Sequence, residues 1–584
     1  MTAFTAIGAA GRRERLTRLA AQPDLDILVI GGGINGISAF RELALQGLRV
    51  ALVEKNDYCH GASGALSRMV HGGLRYMETG EFKLVREALA ERNRLLRNAP
   101  HYVGPLATTV PLFDYASGLT SALQRFLRLT EKPSRRGAAL VKVGLTLYDW
   151  FTRGTSGMPG HGFAGRAATF RRWPNLNPDV RCTATYYDAQ ITYPERLGLE
   201  MIQDTVTACL DATALNYVAF NRLEANGAVI LHDCVTGDDI TVRPKLVINA
   251  GGAWTDIANE SLAEGAPRLI GGTKGSHLIV DNPKLYDELG DHMIYYENQE
   301  GRVCILFRYF DRVLIGSTDI RVDTPDTVRC EDEERAYILE SVRFVFPSIE
   351  ITPDQIVYTF SGVRPLPYSD DGPTGRISRD HSVQALEPTA TRPFPVLCLI
   401  GGKWTTFRGF GELVADDVLA RLGRDRTVDT KEMPIGGGRD FPAPTARSDA
   451  IAELARAHGL SEARAQTLFA RYGTGARQVA KTLATEGDTP LKSLPEYSCG
   501  ELIHLIRHED VVMPADLLIR RTAIAITGRL STTTVREVLA IMADTCGWSA
   551  EYVRGEYETL RDLLATRHRV TLAPLPEAAE TLQS

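Results

Sequence analysis

The turn Gly31-Gly32-Gly33-Ile34-Asn35-Gly36 constrains this chain more than any other stretch, because of what surrounds it. Alone, a glycine triplet of this form recurs by chance. Here it follows Asp26-Ile27-Leu28-Val29-Ile30, an apolar run typical of a buried parallel strand. It opens a segment of helical spacing, Ile37 to Leu48, whose end is marked by Gly47. Arg49-Val50-Ala51-Leu52-Val53 returns as a strand closed by Glu54. Strand, glycine turn, helix, strand and an acidic residue about 20 positions on make a dinucleotide-binding fingerprint. Gly31 makes the tight turn, Gly33 lets the backbone approach a pyrophosphate, and Gly36 lets helix and strand pack closely. The phosphates then meet unpaired N–H groups at a helix N-terminus. Glu54 accepts from the ribose hydroxyls, and its charge disfavours a 2′-phosphate.

NAD and FAD share this fingerprint, and the remainder of the chain chooses between them. A distant apolar strand, Leu246-Val247-Ile248-Asn249-Ala250, ends at Gly251-Gly252-Ala253-Trp254. It is hard to place in a compact NAD domain, but it fits a flavoprotein in which a far strand returns to the nucleotide fold. Val396-Leu397-Cys398-Leu399-Ile400 then ends at Gly401-Gly402-Lys403, an edge suited to close approach by an isoalloxazine ring. The cofactor read from this pattern is FAD. Between these strands, Val303 to Phe307 and Arg312 to Ile315 alternate as antiparallel strands do. The expected fold is α/β, with a discontinuous Rossmann-like FAD-binding domain interleaved with a mixed-sheet substrate domain over 23–433. A Gly/Pro linker over 434–445 follows, then a helical C-terminal domain over 446–570. Residues 1–22 read as a disordered or loosely docked extension, with a short helix striped by Leu16, Leu19 and Ala20 as the alternative.

Composition excludes several classes. A chain of 584 residues suggests two or three structural units, and a net charge of −6 gives no global attraction to nucleic acid. The nine cysteines form no C-x-x-C pair, which points to reduced thiols in a cytoplasmic setting and to no zinc ribbon. No run approaches the roughly 18 apolar residues of a membrane-spanning helix. His504, His508 and Glu509 share a helical face, but packing against a neighbouring domain is the preferred reading over a metal site.

Ordered motifs then identify a family. Val70-His71-Gly72-Gly73-Leu74-Arg75-Tyr76, Lys274-Gly275-Ser276-His277, Gly316-Ser317-Thr318-Asp319 and Ser361-Gly362-Val363-Arg364-Pro365-Leu366 join the glycine turn. Ser378-Arg379-Asp380, Gly401-Gly402-Lys403-Trp404-Thr405-Thr406 and Arg520-Arg521-Thr522 follow. From about Asp24 to Asp562 the chain resembles the aerobic FAD-dependent glycerol-3-phosphate dehydrogenases of the D-amino-acid-oxidase-like flavoprotein superfamily. That resemblance implies a phosphorylated polyol substrate, whose dianion calls for guanidinium forks. It implies that Arg75, Arg364 and Arg379 converge on the phosphate and the reacting oxygen, with Tyr76 and Thr318 as hydroxyl donors. His277 is the candidate base for the C2 hydroxyl proton, Arg364 a catalytic cation, and Lys403 a cation beside the flavin. Gly31, Gly33, Gly36, Glu54, Ser67, Gly251 and Gly402 complete the expected cofactor contacts.

The chain departs from the family pattern at Thr192-Tyr193-Pro194-Glu195, at Gly64 and Arg68, and at Trp404. These departures make a longer substrate, such as a tetritol phosphate, the alternative. The family resemblance also implies delivery of electrons to a membrane quinone by a peripheral protein on the inner face of the cell membrane. The basic and aromatic stretch from Leu123 to Phe151 suits an anionic lipid surface, or equally the solvated face of an ordinary helix. An oxygen-using oxidase is a further alternative, and a flavin-binding sensor without turnover is disfavoured by the retention of Arg75, Arg364, Arg379 and Lys403. The helical domain could cover the cofactor domain, make a homodimer or meet a partner.

Overall fold

The structure is a computed structural model; it describes residues 9–73, 81–115, 142, 144–146, 148, 158–369 and 380–575. The strand Asp24–Ile30, buried throughout from Ile27, lies inside an eight-stranded sheet. It pairs in parallel with Asp239–Asn249 on one side and Val50–Glu54 on the other. Val396–Ile400 and Thr213–Asn216 extend the parallel set outward. Ile30 lies opposite Asn249, and Asn249 opposite Cys398, so Gly31, Gly251 and Gly401 leave their strands along one edge. Ligands bind at such carboxyl ends of open parallel sheets. The helices Ile34–Leu45, Pro194–Ala208 and Phe407–Leu422 bury apolar faces on one side of this sheet, around Phe40, Leu199 and Phe410.

The other side of the sheet corrects the reading of the N-terminus. Ala9–Ala21 is a helix that buries Leu19 against Leu28 and Val247. Arg12 and Arg15, on one helical face, are buried as well. Arg12 meets Asp233 at 2.7 Å, and Arg15 donates to both carboxylate oxygens of Asp510 at 2.7 Å. The acidic partners that dock the helix lie far along the chain, beyond the reach of a local reading of residues 1–22.

A ten-stranded sheet forms the second domain. Ile270–Val280, which carries His277, pairs antiparallel with Ile356–Pro367, which carries Arg364; Thr273 faces Arg364 and His277 faces Phe360. Val303–Tyr309 and Arg312–Gly316 are antiparallel neighbours, as their alternation implied.

The described residues beyond Arg447 are mainly helical, with a core of their own around Leu468, Leu502, Leu518 and Val538. Ser461, Ser498, Ser531 and Ser549 each cap a helix by accepting from the amide three residues on. The expected linker is instead a docked segment. Gly436 N donates to Asp204, Gly437 N to Glu200, and Ile435 N to the Asn98 carbonyl. A side chain at Gly437 would lie 2.0 Å from the Tyr472 carbonyl, so close packing explains that glycine.

Candidate active site

Between the two sheets lies a cavity of about 1150 Å³. Small-ligand sites commonly span about 300–1,000 Å³, so this one has room for a dinucleotide and a small substrate together. Gly31, Gly33, Glu54, Ser67, Gly251, His277, Thr318, Arg364, Gly402 and Lys403 all line it. Gly36 does not; it sits behind the turn, where a Cβ would fall 2.0 Å from the Gly31 carbonyl oxygen. Arg75, Tyr76 and Arg379 lie outside the described residues.

The glycine edge fits a flavin dinucleotide. Gly31 has φ +111°, and a Cβ there would meet the Ala250 oxygen at 2.5 Å. Gly402 has φ +91° and would meet Asn35 Nδ2 at 2.4 Å. Only glycine fits either position, and the backbone is thereby laid open to a ligand. Glu54 Oε2 accepts from Gly32 N at 2.7 Å and Oε1 from Asn56 N at 2.9 Å. Burial lifts the pKa of this carboxyl despite those bonds. Each oxygen retains a lone pair for a ribose hydroxyl. Asn35 Oδ1, beside Gly402, is buried without a hydrogen-bond partner among the described residues.

On the substrate side, His277 is buried and stacked on Phe360 at 4.8 Å, with Nε2 2.7 Å from Ser67 Oγ. Burial lowers its pKa to about 3, with Arg364 and Arg68 adding to the shift. It is therefore a neutral imidazole, whose Nδ1 has no partner among the described residues. Arg364 is fixed by Asp319 at 3.1 Å, by Ser317 Oγ at 3.2 Å and by the Thr318 carbonyl. Thr318 departs from its expected role. Its hydroxyl donates to Glu334 at 2.7 Å and accepts from Ser276 N at 2.9 Å, so its one proton is already used inside the protein.

Sequence reasoning missed Glu334. This buried carboxylate accepts from Lys274 Nζ at 2.6 Å, Ser276 Oγ at 2.8 Å, Thr318 Oγ1 at 2.7 Å and Glu331 N at 3.0 Å. It joins the strand of His277, the loop that holds Arg364 and the head of the helix Asp332–Val345. The motif around Thr318 was visible in the sequence, but the partner of its hydroxyl was not.

The departures from the family pattern fall mostly outside the cavity. Arg68 and Glu195 form a two-pronged buried ion pair at 2.8 Å, and Arg68 also holds the Gly64 carbonyl. Two departures thus answer one another behind the cavity wall. Tyr193 packs on Tyr102 and Phe310, and Pro194 begins a helix. Trp404 alone lines the cavity, its Nε1 bonded to the Ser63 carbonyl at 3.0 Å.

Glu509 is paired with Arg196 at 2.7 Å, and His504 Nδ1 with Thr482 at 2.8 Å. Among the described residues no group of three or more His, Cys, Asp or Glu could hold a metal, and no helix is long and apolar enough to cross a membrane.

The family described as FAD dependent oxidoreductase matches residues 26–416, and the C-terminal domain of alpha-glycerophosphate oxidase matches residues 428–553. A glycerol-3-phosphate dehydrogenase of Synechocystis is 32% identical over 553 residues, which cover 90% of this chain and 94% of that protein. Another, from Pseudomonas aeruginosa, is 30% identical over 511 residues, covering 86% and 92% respectively. The crystal structure of the glycerol-3-phosphate dehydrogenase from Bacillus halodurans, complexed with FAD, shares the fold with a TM-score of 0.74 at 23% identity, over 96% of this chain and 98% of that one.

Proposed function

The chain belongs to the FAD-dependent oxidoreductase family, and from that premise we propose that it oxidises sn-glycerol 3-phosphate to dihydroxyacetone phosphate. One observation carries the reading: the glycine cradle, His277, Arg364 and Lys403 open onto a single cavity. FAD, when bound, supplies the acceptor for the hydride leaving C2. The residues of the chain do the rest. Arg364, its guanidinium oriented by Asp319 and Ser317, meets the anionic end of the substrate. His277 takes the C2 hydroxyl proton at Nε2, relayed through the Ser67 hydroxyl bonded to that nitrogen, as the alcohol becomes a ketone. Lys403 lies at the cavity wall beside Gly402 and provides positive charge there. Two electrons and one proton leave as hydride, and the second proton leaves through the imidazole.

The electrons pass to a membrane quinone, with the protein held peripherally on the cytoplasmic face. The support for this is the family resemblance and the basic stretch from Leu123 to Phe151, most of which lies outside the described residues. A longer polyol phosphate retains only Trp404 as its motive.

Anaerobic mixing with sn-glycerol 3-phosphate, beside erythritol phosphates, tests the reading by loss of flavin absorbance. Bleaching by the three-carbon phosphate is expected. Bleaching by the four-carbon compounds alone would reassign the substrate, and peroxide formation without added acceptor would replace quinone by oxygen.

A further inference from the structure

Two of the contacts that the helical domain makes with the rest of the chain flank the Glu54 end of the cavity. The first lies under segment 54–61. Cys59 N donates to the Gly32 carbonyl at 2.9 Å, tying this segment to the glycine turn. Between Glu54 and Cys59, Asp57 turns inward and is fully buried. Arg521 meets both of its oxygens at 2.7 and 2.9 Å, and Arg520 Nε meets it at 2.5 Å. Both arginines come from the wide helical turn Asp516–Arg521. Asn216, at the end of the neighbouring strand, binds Asp57 and the Asp510 carbonyl.

The second grip lies across the mouth. Lys55 and Trp254 both line the cavity, the first following Glu54 and the second following the Gly251-Gly252 edge. Trp254 Nε1 donates to Asp326 at 2.7 Å, Lys55 Nζ approaches the same carboxylate at 3.4 Å, and Lys55 lies 4.7 Å from the indole ring. Asp326 therefore bridges the two lips. Its own turn is pinned by residues at the end of the helix Leu564–His568. Arg567 donates to the Asp326 and Val328 carbonyls, and Arg569 to the Cys330 carbonyl at 2.9 Å. His568 is stacked on Tyr358 at 4.5 Å and bonded to the Thr359 carbonyl, which anchors the grip on the second sheet.

We propose that the helical C-terminal domain is a clamp on the adenosine half of FAD, with Arg520 and Arg521 fixing segment 54–61 and Arg567 fixing the Asp326 bridge between Lys55 and Trp254. The proposal rests on the reading of Glu54 as the ribose acceptor. None of these three arginines lines the cavity; they act through the residues that do, and are positioning residues. The two grips differ in kind. Removing one partner of a buried ion pair strands the other and endangers folding. The Asp326 bridge lies at the surface, its carboxylate 61% exposed, so breaking it leaves the core intact.

The test follows FAD fluorescence as holoenzyme is diluted into cofactor-free buffer, with the melting temperature of each apoprotein measured alongside. Arg567→Ala and Asp326→Ala should each speed FAD release about three- to tenfold, the loss of one or two partly exposed bonds. The apoprotein melting temperature should not move. The double variant should release FAD no faster than the quicker single one, because both act on one bridge. Glu54→Gln should also speed release, which checks the underlying reading. Native release from both single variants, with faster release from Glu54→Gln, would overturn the clamp and leave the adenosine reading standing. Native release from Glu54→Gln would overturn both.

Discussion

The imidazole of His277 is held neutral by its surroundings: burial first, then the cations Arg364 and Arg68. A dianionic phosphate on Arg364 would offset one of those cations and raise the basicity of the ring when substrate arrives. Arg364→Ala should therefore lose both the anion fork and this coupling. The expected outcome is a fall of about 10²–10³-fold in kcat/KM with the flavin spectrum retained; unchanged kinetics would remove Arg364 from the site. Glu334 acts one layer further out. Glu334→Gln keeps the shape but turns an acceptor oxygen into a donor facing Lys274, Ser276 or Thr318. The Thr318 carbonyl that steadies Arg364 should shift, and KM should rise about tenfold at constant FAD content. A drop in FAD content without a change in KM would mean that Glu334 serves the fold alone.

Helices and strands were legible where their signal was local. Strand, turn and helix from Asp24 to Leu45 follow from hydrophobic period and glycine placement, and so do the serine-capped helices beyond Arg447. What escaped was set by partners remote in sequence. The glycines at 436–438 look like a flexible joint, yet close contact with Glu200, Tyr472 and Asn98 demands them. Residues 1–22 look like a loose extension until Asp233 and Asp510 are folded beside Arg12 and Arg15. At the site, sequence motifs supplied His277, Arg364 and Lys403, but not the bonds that leave Thr318 occupied or join Arg68 to Glu195. The turn itself gives a sharp expectation. Gly31→Ala places a methyl group 2.5 Å from the Ala250 oxygen in a left-handed backbone, so the purified protein should be colourless, lacking flavin absorbance. Full FAD content in that variant would show that the edge can yield.

Across the whole molecule, burial holds His60, His277 and His504 at pKa values of about 3, and His568 at about 4. All lie below the ordinary value of 6.5, so in acid the unfolded chain takes up protons that the folded chain refuses. Their contribution is complete above neutrality and drains away as pH falls from 6.5 towards 4, by up to about 1.4 kcal/mol per pH unit for each ring. Urea midpoints of the apoprotein should drop steeply across that interval; flat midpoints would mean that the rings titrate as free histidine does. The strand order carries a different consequence, one for manufacture. Asp24–Ile30 neighbours Asp239–Asn249, which neighbours Val396–Ile400, so the sheet is assembled from stretches that leave the ribosome far apart in time. At about 5–20 residues per second, Ile30 waits on the order of 20–70 s for Val396. During that wait the nascent nucleotide fold has an open edge and an incomplete cradle. Cofactor loading is therefore a task for the finished polypeptide, and a product truncated before Val396 is left as an exposed sheet for chaperones or proteases to claim.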